Sequence, residues 1–165
     1  MLSKKIQAAL DDQINNEFYA AYLYLSMSGY FQGRNLTGFA HWMRLQREEE
    51  ILHAMKIFDF VYDRNGDVEL QAVKKPPASF DSPLDVMEQA YEHERAVTEK
   101  INELYELAVK EKDYPVQALL QWFITEQVEE EASALQIVER LRMIGDDSAA
   151  LLILDAEMGA RTTVE

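Results

Sequence analysis

Four glutamates stand where a helical bundle normally buries apolar side chains. Between residues 116 and 144 the spacing Val116, Leu120, Phe123, Gln127, Glu130, Ala134, Ile137, Leu141, Ile144 runs unbroken at 4-3-4-3. That is the period of a helix with one buried seam, and its middle is Gln127 and Glu130. An earlier stretch reads Phe39, Met43, Gln46, Glu50, His53, Ile57, Phe60, again polar at its centre. The remaining two read Ile6, Leu10, Ile14, Glu17, Ala21, Tyr24 and Leu84, Met87, Tyr91, Glu94, Thr98, Ile101. Each stretch therefore sets one carboxylate on its seam near its own midpoint. Midpoints coincide in an antiparallel bundle whichever way each helix runs, so Glu17, Glu50, Glu94 and Glu130 are expected to share one layer.

Unpaired carboxylates in such a layer are costly and repel one another. No lysine or arginine lies on the seams to offset them, whereas two divalent cations would neutralise all four. His53, three residues after Glu50 and on the same helical face, adds a nitrogen ligand. Single glutamates and a Glu-x-x-His from separate helices are the ligand pattern of di-iron and di-manganese carboxylate proteins. The alternative is a mis-phased seam in which each glutamate is a solvated surface charge; four glutamates at matched height speak against it.

The elements that must position these residues follow from the breakers. Six glycines and four prolines cluster and leave the runs 1–28, 39–65, 84–114 and 116–144 free of both. Helices tolerate runs of this length and strands do not. A helix of that size is about 42 Å long. Asn35 is expected to cap the second helix, Ser82-Pro83 to start the third, Asp113 with Pro115 to start the fourth, and Gly33 and Gly145 to end their helices. A short fifth helix is expected over 148–158. Connections of a few residues make helices one and two, and three and four, antiparallel neighbours. The longer segment 65–82 can return along a whole helix. The expectation is an all-α four-helix bundle with one long crossover loop and a short fifth helix, in a single domain over 1–165.

Composition narrows the function classes. The 165 residues are 48% hydrophobic, enough for a core, and include no cysteine. Disulfide frameworks, thiolate metal sites and cysteine nucleophiles are thereby excluded. Thirty acidic against sixteen basic residues give a formal charge of −14, which disfavours nucleic acid and favours cations. The first residues do not read as a signal peptide, and no apolar run is long enough to span a membrane.

Taken together, Glu17, Glu50-x-x-His53, Glu94 and Gln127-x-x-Glu130 resemble the ferroxidase centre of the prokaryotic non-haem ferritins. The resemblance extends over the whole chain, through Asp113-Tyr114-Pro115, the Trp122 neighbourhood, the run 126–131 and the C-terminal Leu154-Asp155-x-Glu157. It implies a ferritin-like bundle in which Glu17, Glu50 and His53 hold one iron and Glu50, Glu94 and Glu130 the other. Glu50 would bridge them and Gln127 would face the dioxygen side. It also implies a third iron site in which Glu49, Glu126 and Glu129 join Glu130, and places Tyr24 beside the centre. The implied activity is Fe(II) oxidation by dioxygen or peroxide, with ferric mineral stored in a hollow cytoplasmic shell of 24 copies whose channels the fifth helix lines.

Relatives with other cofactors fit less well. Haem-binding bacterioferritins carry a second Glu-x-x-His where this chain has Gln127-x-x-Glu130, and a haem-ligating methionine where it has Ile51, so no haem is expected. Rubrerythrins add a cysteine-ligated iron. A di-iron or di-manganese peroxidase that stores nothing, and a metal-free helical scaffold, are the competing functions. Trp122 reads as core, and His41 and His93 read as surface residues.

Overall fold

The computed structural model describes residues 2–162 as five helices: α1 (Lys4–Gln32), α2 (Thr37–Asp63), α3 (Pro83–Lys110), α4 (Tyr114–Ile144) and α5 (Ser148–Gly159). Their starts follow from side chains that accept otherwise orphaned backbone N–H groups. Ser3 Oγ takes Ile6 N, Ser82 Oγ takes Asp85 N, Asp113 takes Val116 N, and Asp147 takes both Ala149 N and Ala150 N. Proline opens α3 and α4, where its missing N–H costs nothing.

One expected cap is not there. Asn35 does not cap α2; it lies at φ 59°, and Leu36 precedes the helix with no side-chain bond. The tight α1–α2 turn needs a left-handed residue, which asparagine tolerates. The buried amide of Phe39, which has no partner within the first turn, is met from a distance instead, donating to Asp155 Oδ1 of α5 at 2.9 Å.

The crossover, residues 64–82, climbs α1 from end to end. Gln7 Nε2 donates to Asp67 O, Gln71 Nε2 to Asp12 Oδ1 at 2.8 Å, and Ser26 Oγ to Pro77 O at 2.5 Å, before Phe80 packs edge-on against Tyr30. Thus α3 starts at the end where α1 finishes. α1 packs on α2 and on α3, and α3 on α4, while α2 and α4 meet across the bundle through side chains. α5 lies against the start of α2.

Two apolar clusters fill the interior. Tyr24, Met27, Phe31, Phe39, Met43 and Met87 belong to one; Ile6, Leu10, Ile57, Ile101, Leu120 and Phe123 belong to the other. The four seam glutamates lie between them along every helix. α5 buries Leu154 and Met158 in the first cluster and leaves Leu152 and Ile153 60% and 64% exposed. A run of four apolar residues on a helix covers its whole circumference, so a single groove cannot bury it.

Candidate metal centre

Each helix delivers its seam glutamate inward, and all four are buried, at 1–7% exposure. Gln46, His53 and Gln127 are buried beside them at 2–3%. Among the described residues no lysine or arginine bonds to Glu17, Glu50, Glu94 or Glu130. Instead the layer is held by neutral donors. Gln13 Nε2 gives Glu17 Oε1 a 2.7 Å hydrogen bond, and Glu17 Oε2 is buried with no partner. The Tyr24 hydroxyl donates to Glu94 Oε1, and Gln127 Nε2 to Glu94 Oε2 at 3.1 Å. Gln46 Nε2 donates to Glu130 Oε2 at 2.8 Å. His53 Nδ1 lies 3.4 Å from Glu50 Oε2.

The electrostatics are those of crowded anions. Burial raises the Glu50 carboxyl well above the usual carboxylate range, and Glu94, Glu17 and Glu130 add to the rise. Glu50 therefore lies within electrostatic reach of the other three. Burial pushes Glu94 up to about 7, against the Tyr24 and Gln127 hydrogen bonds that favour its anion. Glu130 is pushed up to about 8, by burial first and then by Glu94 and Glu49. Burial likewise raises the Tyr24 hydroxyl, and Glu94, Glu50 and Glu130 reinforce it. A buried layer with this much unmet negative charge favours protons or cations.

Two groups bring ligand atoms within 4.8 Å of one another: Glu17, Glu50 and His53, and His53, Glu126 and Glu130. The first is the trio expected from the sequence for one metal. The second draws in Glu126, which the sequence reading assigns to an outer site. Glu94 falls outside both groups; its oxygens accept from Tyr24 and Gln127. Oxygen donors with a single imidazole suit first-row divalent metals, including iron.

Outside the layer, a cleft of about 620 Å³ is lined by Glu49, Glu126, Glu129, Glu130, Gln46 and Arg161, among others. Glu49 is 6% exposed, and Glu129 is exposed. Arg161 is the residue sequence reasoning missed here: no periodicity marks a cation beyond the last helix. The other histidines also depart from expectation. His41 Nε2 lies 2.7 Å from Arg161 O. His93 packs its ring 5.8 Å from Tyr19 and buries Nε2 without a partner, so burial lowers it to about 4. Neither is a free surface side chain. Trp122 is half-buried, 5.4 Å from the His53 ring, with Lys56 Nζ 4.2 Å over its face.

The ferritin-like domain family matches residues 7–144 of this chain. The chain belongs to the ferritin family. Bacterial non-heme ferritins of Bacteroides fragilis (strain 638R) and Staphylococcus aureus (strain USA300) are each 40% identical to it, over 161 and 162 residues. The first alignment covers 98% of this chain and 100% of the relative; the second covers 98% of both. An open-pore ferritin structure from the archaeon Archaeoglobus fulgidus superposes with a TM-score of 0.97 at 56% identity, covering 98% of this chain and all of the other. As a ferritin, the chain has the bundle, the crossover and the short fifth helix that its hydrophobic pattern predicts. No described helix is long and apolar enough to cross a membrane.

Proposed function

We propose that this ferritin oxidises Fe(II) at the buried carboxylate layer and stores the ferric product in a shell of identical subunits. One observation carries the reading: four glutamates and a histidine are buried together with neutral hydrogen-bond partners, one glutamate oxygen has no partner, and among the described residues no lysine or arginine neutralises the layer. Fe(II) is the substrate. Glu17, Glu50 and His53 receive one ion, and Glu130, with Glu50 and Glu94, receives a second. Glu50, central to the layer, is shared. Two neighbouring Fe(II) ions supply dioxygen or peroxide with two electrons together. Each helix contributes one glutamate and α2 adds His53, so the ions are positioned by the bundle and not by loops.

The other residues support this sequence of events. Tyr24 and Gln127 orient Glu94 from both of its oxygens, and Glu94 releases them to take a metal. Gln127 lines the side on which the oxidant is received. Glu49, Glu126 and Glu129, with Glu130, form a third, outer position in the cleft, to which iron passes after oxidation. Having one histidine keeps ligation weak, which favours release of the product over retention. The family match and the non-heme ferritin relatives support iron storage, and the formal charge of −14 per subunit favours cation entry.

The test is Fe(II) oxidation in air by Glu50→Ala and His53→Ala, followed at the ferric absorbance, with native mass recorded in parallel. Both variants are expected to keep wild-type mass and lose rapid oxidation. Oxidation near the wild-type rate in both refutes the assignment. A small oligomer that consumes peroxide and accumulates no ferric core refutes storage.

A further inference from the structure

The outer cleft already contains a cation. Arg161 Nη2 donates to both carboxylate oxygens of Glu49 at 2.7 Å, and Nη1 donates to Gln46 Oε1. Gln46 in turn donates to Glu130 Oε2 at 2.8 Å. The pair is shielded, with side-chain exposures of 25% for Arg161 and 8% for Glu49. The guanidinium carbon lies 5.2 Å from the centre of the Trp42 ring.

The reach of this arginine is fixed by the fold. α5 is pressed on the start of α2 so closely that a Cβ on Gly38 would fall 1.7 Å from Asp155 O. Asp155 is bonded to Phe39 N, and the Arg161 carbonyl faces His41 Nε2 at 2.7 Å. The backbone at Arg161 is therefore anchored from two sides, and the freedom left is in the side chain. A guanidinium nitrogen bonded to both oxygens holds the chelating face of the carboxylate and places a like charge there, so Arg161 and a metal ion compete for Glu49.

We propose that Arg161 is a tethered cation that closes the outer metal position and swings aside when a divalent ion binds Glu49. This rests on the outer position in the function proposed above. Its consequence is a relay from Glu49 through Arg161 and Gln46 to Glu130. Displacing Arg161 frees Gln46 to turn, and Glu130 gains an oxygen for metal transfer. Occupancy by Arg161 reduces the apparent affinity of the outer position to the intrinsic affinity multiplied by the fraction of time it is open. The outer position then fills after the inner layer, which gives passage a direction.

The experiment titrates redox-silent Zn²⁺ into the metal-free assembled protein by calorimetry, comparing wild type, Arg161→Gln and Arg161→Lys. The tightest equivalent, at Glu17, Glu50 and His53, is expected to be unchanged in all three. The third equivalent should bind at least about tenfold tighter in Arg161→Gln, as expected on losing a shielded bidentate ion pair. Arg161→Lys, a point charge without the fork, falls between. In a Trp122→Phe background, Trp42 emission should change with the third equivalent and lose that change in Arg161→Gln. A third equivalent that binds equally or less tightly in Arg161→Gln, or that is missing in both proteins, overturns the role of Arg161. Fewer than two equivalents in wild type overturns the inner centre itself, so the two failures are told apart.

Discussion

Metal entering the carboxylate layer must expel protons, and the number is set by the structure. Ligating carboxylates bind as anions, yet burial and mutual repulsion hold Glu94 at about 7 and Glu130 at about 8. At pH 6 Glu94 is therefore about nine-tenths protonated and Glu130 almost fully so. These two release about two protons per subunit when two Zn²⁺ ions bind. At pH 9 both groups are ionised before metal arrives, and the release falls to about 0.1 proton from the pair. Calorimetric titrations of the metal-free protein in buffers of different ionisation enthalpy give the count directly. Ionisation of water on the metal would make the count rise with pH, so the sign of the trend separates the two sources. Glu94→Gln should lower the count at pH 6 by about 0.9. Release below about one proton at pH 6, or a count that does not fall toward pH 9, would falsify the premise that the layer is a protonated anion cluster.

Three other outcomes follow from the same packing. The native carboxyls keep protons that the unfolded chain gives up near 4.5, so their contribution is fully present below that value and is lost as pH rises through about 7 and 8; guanidinium melts of the metal-free protein should show lower stability at pH 8.5 than at pH 5.5, and Glu50→Gln should raise the pH 8.5 value by about 1–3 kcal/mol. Gly38→Ala places a methyl inside the van der Waals radius of Asp155 O and should depress the melting temperature by several degrees, whereas Gly33→Ala, whose Cβ meets nothing nearer than 3.6 Å, should leave it nearly unchanged. Truncation after Gly145 removes Leu154 and Met158 from the apolar cluster that contains Phe39; the bundle is expected to stay helical by circular dichroism but to lose thermal stability or native mass.

The fold and the buried carboxylate layer were legible because both depend on periodicity. A glutamate within a 4-3-4-3 apolar pattern has nowhere to go but inward, and four at matched height point to one layer. The caps at Ser82 and Asp113 were legible because they are local. Asn35 was misassigned because two properties of asparagine compete there, capping and left-handed backbone, and the short turn decides. The contacts of Arg161, Asp155 and His41 were invisible for a different reason. Their partners Glu49, Phe39 and the Arg161 carbonyl lie more than a hundred residues away, and no pattern within a helix encodes where a terminal segment crosses the bundle. Gln13 was missed because it sits one position before Ile14 on the seam, so its burial beside Glu17 depends on how closely α1 meets its neighbours.

The connectivity divides the layer between two hairpins. α1 and α2 carry Glu17, Glu50 and His53; α3 and α4 carry Glu94, Gln127 and Glu130. Each hairpin has a short turn and contacts close in sequence, so each can form quickly by itself. Bringing the two together is the slow, long-range step, and it drives like-charged faces into contact. The barrier to that docking is therefore set by the site more than by the core: refolding should quicken in mild acid, and divalent ions should act as a mortar between halves. A chain that matures without metal completes its architecture against its own charge.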